Sequence, residues 1–151
     1  MNVKLAVENG IATVTLDRQE KMNALSEEMY ADMTRIFEDV QADENVHAVI
    51  LTGAGKAFCS GSDVGGMANV DVLANRARMK RRHRMIVNLV NIEKPVIAAV
   101  NGACVGIGFS IALACDLIIA SDNAKFSQIF KKIGLVPDGG SIFFLVQHLG
   151  I

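Results

Sequence analysis

Three glycine-bearing segments, each beside an apolar run, constrain the fold of this chain more than any other feature. They are residues 53–64 (GAGKAFCSGSDV), 101–110 (NGACVGIGFS) and 134–141 (GLVPDGGS). An apolar run that meets glycine reads as a strand end, where the backbone can turn sharply and leave amides free to hold a ligand. Two such turns brought together can clamp one oxygen atom.

The pattern between these segments alternates strands with helices. Residues 3–7 and 11–16 alternate apolar and polar side chains around Asn9-Gly10, a hairpin signal because both turn positions need positive φ. Ser26 precedes Glu27 and Glu28, and Met29, Met33, Ile36, Phe37 and Val40 follow at helical spacing, which predicts a capped amphipathic helix over 26–42. Residues 46–52, 95–100, 116–120 and 125–127 read as strands, with helices over 70–91 and, rich in small residues, 106–115. Strands separated by helices pair in parallel through crossovers, so the expected class is α/β.

Composition sets the outer bounds. A 151-residue chain that is 51% hydrophobic suits one domain, 1–151, with a sizeable core. A formal net charge of -1 provides no global basic field for nucleic acid or an anionic membrane, so neither is an expected partner. Residues 1–16 lack the charged-then-apolar pattern of a leader, and no apolar run is long enough to span a bilayer, so a cytoplasmic location is expected. Cys59, Cys104 and Cys115 lack CxxC spacing and read as reduced, buried thiols. With His47, His83 and His148 they form no ligand pattern, so no metal is expected.

Gly106-Ile107-Gly108 follows a strand and opens a helix, but Ile111 stands where a dinucleotide fingerprint needs its third glycine. The same geometry would point the Ile107 amide outward with the helix dipole behind it. The plainer alternative is close helix-to-sheet packing through Gly102, Ala103, Gly106 and Gly108. In 53–64, Ser60-Gly61-Ser62 forms a tight turn, yet GxSxG is missing and no histidine lies near, which argues against a nucleophilic serine.

Taken in order, LDRQEKMNALS (16–26), GKAFCSGSD (55–63), KPVIAAVNG (94–102), Cys115-Asp116 and GLVPD (134–138) resemble the enoyl-CoA hydratase/isomerase, or crotonase, superfamily. The resemblance implies a spiral of ββα units whose pocket binds an acyl-CoA thioester, with no cofactor beyond the coenzyme A of the substrate. Carried over by position, the amides of Ser62 and Ile107 would form an oxyanion hole, while Lys21, Ala24, Leu25, Ser60, Asp63 and Val64 would line the CoA channel. Each amide aimed at a developing enolate oxygen stabilises it by about 3–4 kcal/mol.

The departures from the family pattern are as informative. Its hydratases use paired glutamates to activate water, and here Ser110 and Phe130 occupy those positions. Asp138 remains, resembling the acidic residue of some isomerases in the superfamily, among apolar neighbours that would raise its pKa. It can be read as the acid/base or as a cap on a helix starting near Gly139. The basic run 76–84 reads as a solvated helix face, with an approach to the CoA phosphates as the alternative. Family members continue past residue 151 into helices that complete the acyl pocket and support trimers, so a fragment lacking that C-terminal region, and a homo-oligomer (a trimer or dimer of trimers), are the expectations. The expected function is double-bond isomerisation on an acyl-CoA. The rivals are a hydratase with non-standard acid/base groups, an inert CoA-binding scaffold, and a Clp-like serine peptidase, discounted because its nucleophile would fall near Gly106.

Overall fold

A computed structural model describes residues 1–66 and 71–150. The chain repeats one motif, two strands followed by a helix. The hairpin β1 (Val3–Glu8) and β2 (Ile11–Leu16) precedes α1 (Glu27–Ala42); β3 (Ala48–Gly53) and β4 (Ala57–Cys59) precede α2 (Val72–Val90). Next come β5 (Val96–Val100), β6 (Ala103–Val105) and α3 (Ile107–Leu113), then β7 (Leu117–Ala120), β8 (Lys125–Ser127), a 3-10 turn (Ile129–Ile133) and α4 (Ser141–Leu149).

This periodicity sorts the strands into two sheets. The first has the order β1-β2-β3-β5-β7, and the second has the order β4-β6-β8. Apart from the antiparallel hairpin, every pairing is parallel, as crossovers through helices require. The expected spiral of ββα units is therefore the observed architecture. The short β4 and β6 were not separated from their glycine segments in the sequence reading, because runs of three residues carry no measurable alternation. The start predicted at Val70 for the second helix lies outside the described residues; its described part begins after Asp71, whose carboxylate caps the Leu73 amide.

Local chemistry explains the elements. Asn9 (φ 50°) and Gly10 (φ 78°) take the left-handed turn the hairpin needs. The Ser26 hydroxyl accepts from the Met29 amide and caps α1, whose Met29, Tyr30, Met33, Ile36, Phe37 and Val40 are buried along one face. Burying each large apolar side chain there contributes about 1.5–3 kcal/mol relative to exposure. α2 packs on α1, and the polar rim of that contact is ionic: Arg84 pairs with Glu38, and Arg81 and Arg82 both reach Glu27.

Burial falls off toward the C-terminal end. Every residue of β4 is buried, whereas β7 leaves Leu117 and Ile119 exposed and α4 exposes Ile142, Phe143 and Leu149. No helix among the described residues is long and apolar enough to cross a membrane.

Candidate active site

The turn after β4 is built to present an amide. Leu25 donates its N–H to the Gly61 carbonyl (2.8 Å) and accepts from the Asp63 N–H (2.9 Å), forming an isolated parallel bridge. In such pairing alternate amides face opposite sides. The Ser62 N–H therefore faces away from Leu25, and it donates to no other described residue. Gly61 sits at φ 115°, where a side chain would strain the backbone.

Buried polar side chains behind this turn fix its position. Asn23 is fully buried at φ 58°; its amide donates to the Ala54 (2.9 Å) and Ala57 (2.7 Å) carbonyls and accepts from the Arg18 N–H (2.8 Å). Arg18 in turn holds Asp63 (2.8 Å) and the Ala24 carbonyl (3.0 Å).

The second turn lies between β6 and α3. Gly106 (φ 56°) caps α3 without a side chain, and the first helical residue is Ile107, whose N–H has no described acceptor. A Cβ at Gly106 would lie only 3.9 Å from the Gly61 Cα, so the two turns meet. The close-packing reading of this segment also holds: a Cβ at Gly108 would fall 2.5 Å from the Cys59 carbonyl oxygen. Small residues thus bring α3 against β4 and the turn before Ile107 against the turn that carries Ser62.

A cavity of about 380 Å³ opens over both turns. Lys21, Ala24, Ser60, Ser62, Asp63, Val64, Ile107 and Asp138 all line it. Leu25 lines instead an adjoining cavity with Ser26, Glu27, Asp63 and Gly65; at 1% exposure its side chain packs mostly in the core, and its main chain makes the bridge that aims Ser62. Ile129, Phe130, Ile133 and Leu135 add an apolar wall, with Ile129 and Phe130 next to Gly106.

Two of the described lining residues are carboxylates, and their surroundings differ. Asp63 accepts from the Gly65 N–H and from Arg18, which hold it below the usual carboxylate range. Burial raises the pKa of Asp138, with Arg82 and His83 acting in the opposite direction, and its Oδ1 is buried without a partner among the described residues. Helix capping is not its side chain's role, since α4 is capped by Gly140 with no side-chain hydrogen bond. The Asp138 carbonyl instead accepts from the Ser110 hydroxyl (2.9 Å) and from the Ser141 amide (3.2 Å). Ser110, which stands where the family's hydratases carry a glutamate by the resemblance, thus ties the Asp138 loop to α3.

Sequence reasoning missed Arg82 and Tyr30. Within a run read as a solvated face, Arg82 is only 6% exposed and lines the cavity. The buried Tyr30 shares a 2.7 Å hydrogen bond with the Ser62 hydroxyl, and burial raises its pKa. The available signal was spacing, since Arg82, Met85, Ile86 and Leu89 fall on one face of α2 and are all buried.

A family model described as enoyl-CoA hydratase/isomerase matches residues 6–151. The chain belongs to the enoyl-CoA hydratase/isomerase family. It is 38% identical over 149 residues to the 1,2-epoxyphenylacetyl-CoA isomerase of Escherichia coli K12, covering 95% of this chain and 56% of that protein. It is 46% identical over 134 residues to the (E)-benzylidenesuccinyl-CoA hydratase of Thauera aromatica, covering 88% of this chain and 52% of that one. Among solved structures, an enoyl-CoA hydratase from Polaromonas sp. JS666 superposes with a TM-score of 0.91 at 35% identity, covering 97% of this chain and 58% of the other. The chain thus spans a little over half the length of these relatives. Members of the enoyl-CoA hydratase/isomerase family with both isomerase and hydratase names are similar to it.

Proposed function

We propose that the protein moves a carbon–carbon double bond within an acyl-CoA thioester. In this reading the thioester oxygen accepts hydrogen bonds from the Ser62 and Ile107 amides. Asp138, as its carboxylate, takes a proton from the carbon next to the thioester of a 3-enoyl-CoA. The resulting dienolate spreads its charge onto the oxygen held by the two amides, and Asp138 returns the proton to the fourth carbon, giving the 2-enoyl-CoA. Lys21, Ala24, Ser60, Asp63 and Val64 flank the path of the CoA moiety. No further cofactor enters this route. A homo-oligomer completes the reading, supported by the exposed apolar side chains of β7 and α4.

One observation carries the choice of isomerisation. Of the two carboxylates lining the cavity, only Asp138 is placed to exchange a proton, because Arg18 and the Gly65 N–H hold Asp63 ionised. Water addition by a pair of carboxylates needs a second such group, and Ser110 and Phe130 supply none. The hydratase reading is favoured by the names of several relatives, among them the (E)-benzylidenesuccinyl-CoA hydratase.

The test is Asp138→Asn, assayed in deuterated water with a 3-enoyl-CoA. The wild type incorporates deuterium and isomerises the substrate, while the folded variant binds CoA thioesters but loses about 100-fold or more of its isomerisation rate and does not exchange. Unchanged turnover in the variant would remove Asp138 from the chemistry, and rapid hydration of crotonyl-CoA by the wild type would favour the hydratase.

A further inference from the structure

A guanidinium buried at a largely apolar cavity calls for a reason. Desolvating a cation is costly, and long basic side chains ordinarily keep their charge in water. The neighbours of Arg82 in the run do so, with the side chains of Arg81 and Arg84 58% and 67% exposed, whereas that of Arg82 is 8% exposed.

Its surroundings hold it in place but leave donors unused. One Nη donates to Glu27 at 2.7 Å, a carboxylate that is 42% exposed and shared with Arg81. The other Nη lies 3.5 Å from the Ser62 hydroxyl, at the limit of a hydrogen bond. Nε is buried without a partner among the described residues. The guanidinium carbon rests 4.8 Å from the centre of the Tyr30 ring, and Tyr30 is itself pinned by its hydrogen bond to Ser62. Among the described residues Glu27 is the only ion-pair partner of Arg82, and Asp138 influences it only from longer range. The result is a fixed, incompletely paired cation. One serine side chain separates it from the amide proposed to hold the thioester oxygen.

We infer that Arg82 recognises a second carboxylate on the acyl group, so that the preferred substrates are CoA monothioesters of short dicarboxylic acids. This rests on the acyl-CoA reading above and narrows it. The planar fork of a guanidinium matches a carboxylate geometrically, and the burial of Arg82 itself leaves less water to compete with the pairing. Placing the acid on Arg82 also fixes the acyl chain at both ends, by its thioester oxygen and its terminal carboxylate, and so sets which carbon faces Asp138. A neutral acyl chain of the same shape would leave the cation without that partner. The CoA phosphates are the other anions on such a ligand, and they must be separated from the acyl carboxylate experimentally.

Calorimetry with unreactive ligands makes that separation. Glutaryl-CoA is compared with 5-methylhexanoyl-CoA, its uncharged isostere, and with free CoA, on the wild type and on Arg82→Met and Arg82→Lys. The wild type binds glutaryl-CoA about tenfold or more tightly than the isostere, although an apolar cavity alone would favour the latter. Arg82→Met loses or reverses that preference with little change for free CoA, and Arg82→Lys, which keeps the charge without the fork, falls between. A wild type that binds the isostere as well as glutaryl-CoA overturns the inference while leaving the acyl-CoA reading intact. Equal weakening of all ligands, free CoA included, assigns Arg82 to the phosphates and also overturns it. Failure of both thioesters to bind the wild type refutes the acyl-CoA reading itself. The wild-type comparison stands alone if neither variant folds.

Discussion

The two walls of the cavity are built on different principles. The wall formed by residues 18–25 and 60–64 is a lattice of hydrogen bonds: Asn23 ties three backbone groups, Arg18 ties Asp63 and Ala24, and the Leu25 bridge fixes the turn. The wall formed by residues 129–138 is mostly apolar side chains, with Ile133, Leu135 and Val136 exposed. Its main-chain ties are few, chiefly Leu135 to Phe130 and Ser110 to Asp138. An amide that must meet an oxygen needs fixed placement, because a hydrogen bond weakens steeply with angle and distance. A wall that receives an acyl chain needs only apolar area of suitable shape, which variation can reshape without unfolding the protein.

That contrast predicts unequal costs of removing one anchor from each wall. Asn23→Ala is expected to destabilise the protein by about 3 kcal/mol, since it strands the Ala54 carbonyl and the Arg18 amide, leaves the Ala57 carbonyl only the longer bond from Asn101 (3.4 Å), and puts alanine at positive φ. Urea unfolding measures it, and thioester binding should weaken in parallel because the Ser62 turn loses its support. A loss of a few tenths of a kcal/mol would mean that the first wall is no stiffer than the second.

How legible each wall is in the sequence follows from the same contrast. The alternating ββα order could be read because hairpin, cap and helix signals act over neighbouring residues, as with Asn9-Gly10 and the Ser26 cap. The glycine turns could be read because positive φ and close approach leave few other choices, as at Gly61, Gly106 and Gly108. The resemblance places Leu25 in the CoA channel by position, but it does not say that the main-chain bridge to Gly61 and Asp63 leaves its side chain mostly in the core beside the cavity it lines with Asp63. Arg82 looked solvated because charge along a helix does not reveal which turn meets Glu27, Tyr30 and Ser62 on other elements. Long-range partners of single polar side chains were what local patterns could not supply.

Ser110→Ala probes the anchor of the second wall. It removes the hydroxyl that donates to the Asp138 carbonyl but leaves the Ser141 amide on the same acceptor. One neutral hydrogen bond with a remaining partner contributes about 1 kcal/mol, so a loss of that size is expected from urea unfolding. The loop carrying Asp138 should then be less well placed, lowering kcat for isomerisation more than it raises KM. A fall as large as that for Asn23→Ala would show that the second wall, too, depends on buried polar anchors.

The smallest effect expected is a gain. Burial raises the pKa of Asp138 above 3.8, so the folded state holds that proton more tightly than the unfolded chain does. The ionised form is therefore a cost to folding above the raised pKa, and the cost disappears as pH falls below the unfolded value of 3.8. Asp138→Asn, neutral at every pH, escapes it. At neutral pH the variant should melt up to about 3 °C above the wild type, with the difference shrinking as the pH is lowered toward the unfolded pKa. This sign is what distinguishes a carboxylate kept for chemistry from one kept for structure, because a structural anchor would lose stability on the same change. Calorimetric melting across that pH range decides it, and a variant that melts lower than the wild type at neutral pH would make Asp138 part of the scaffold of the second wall.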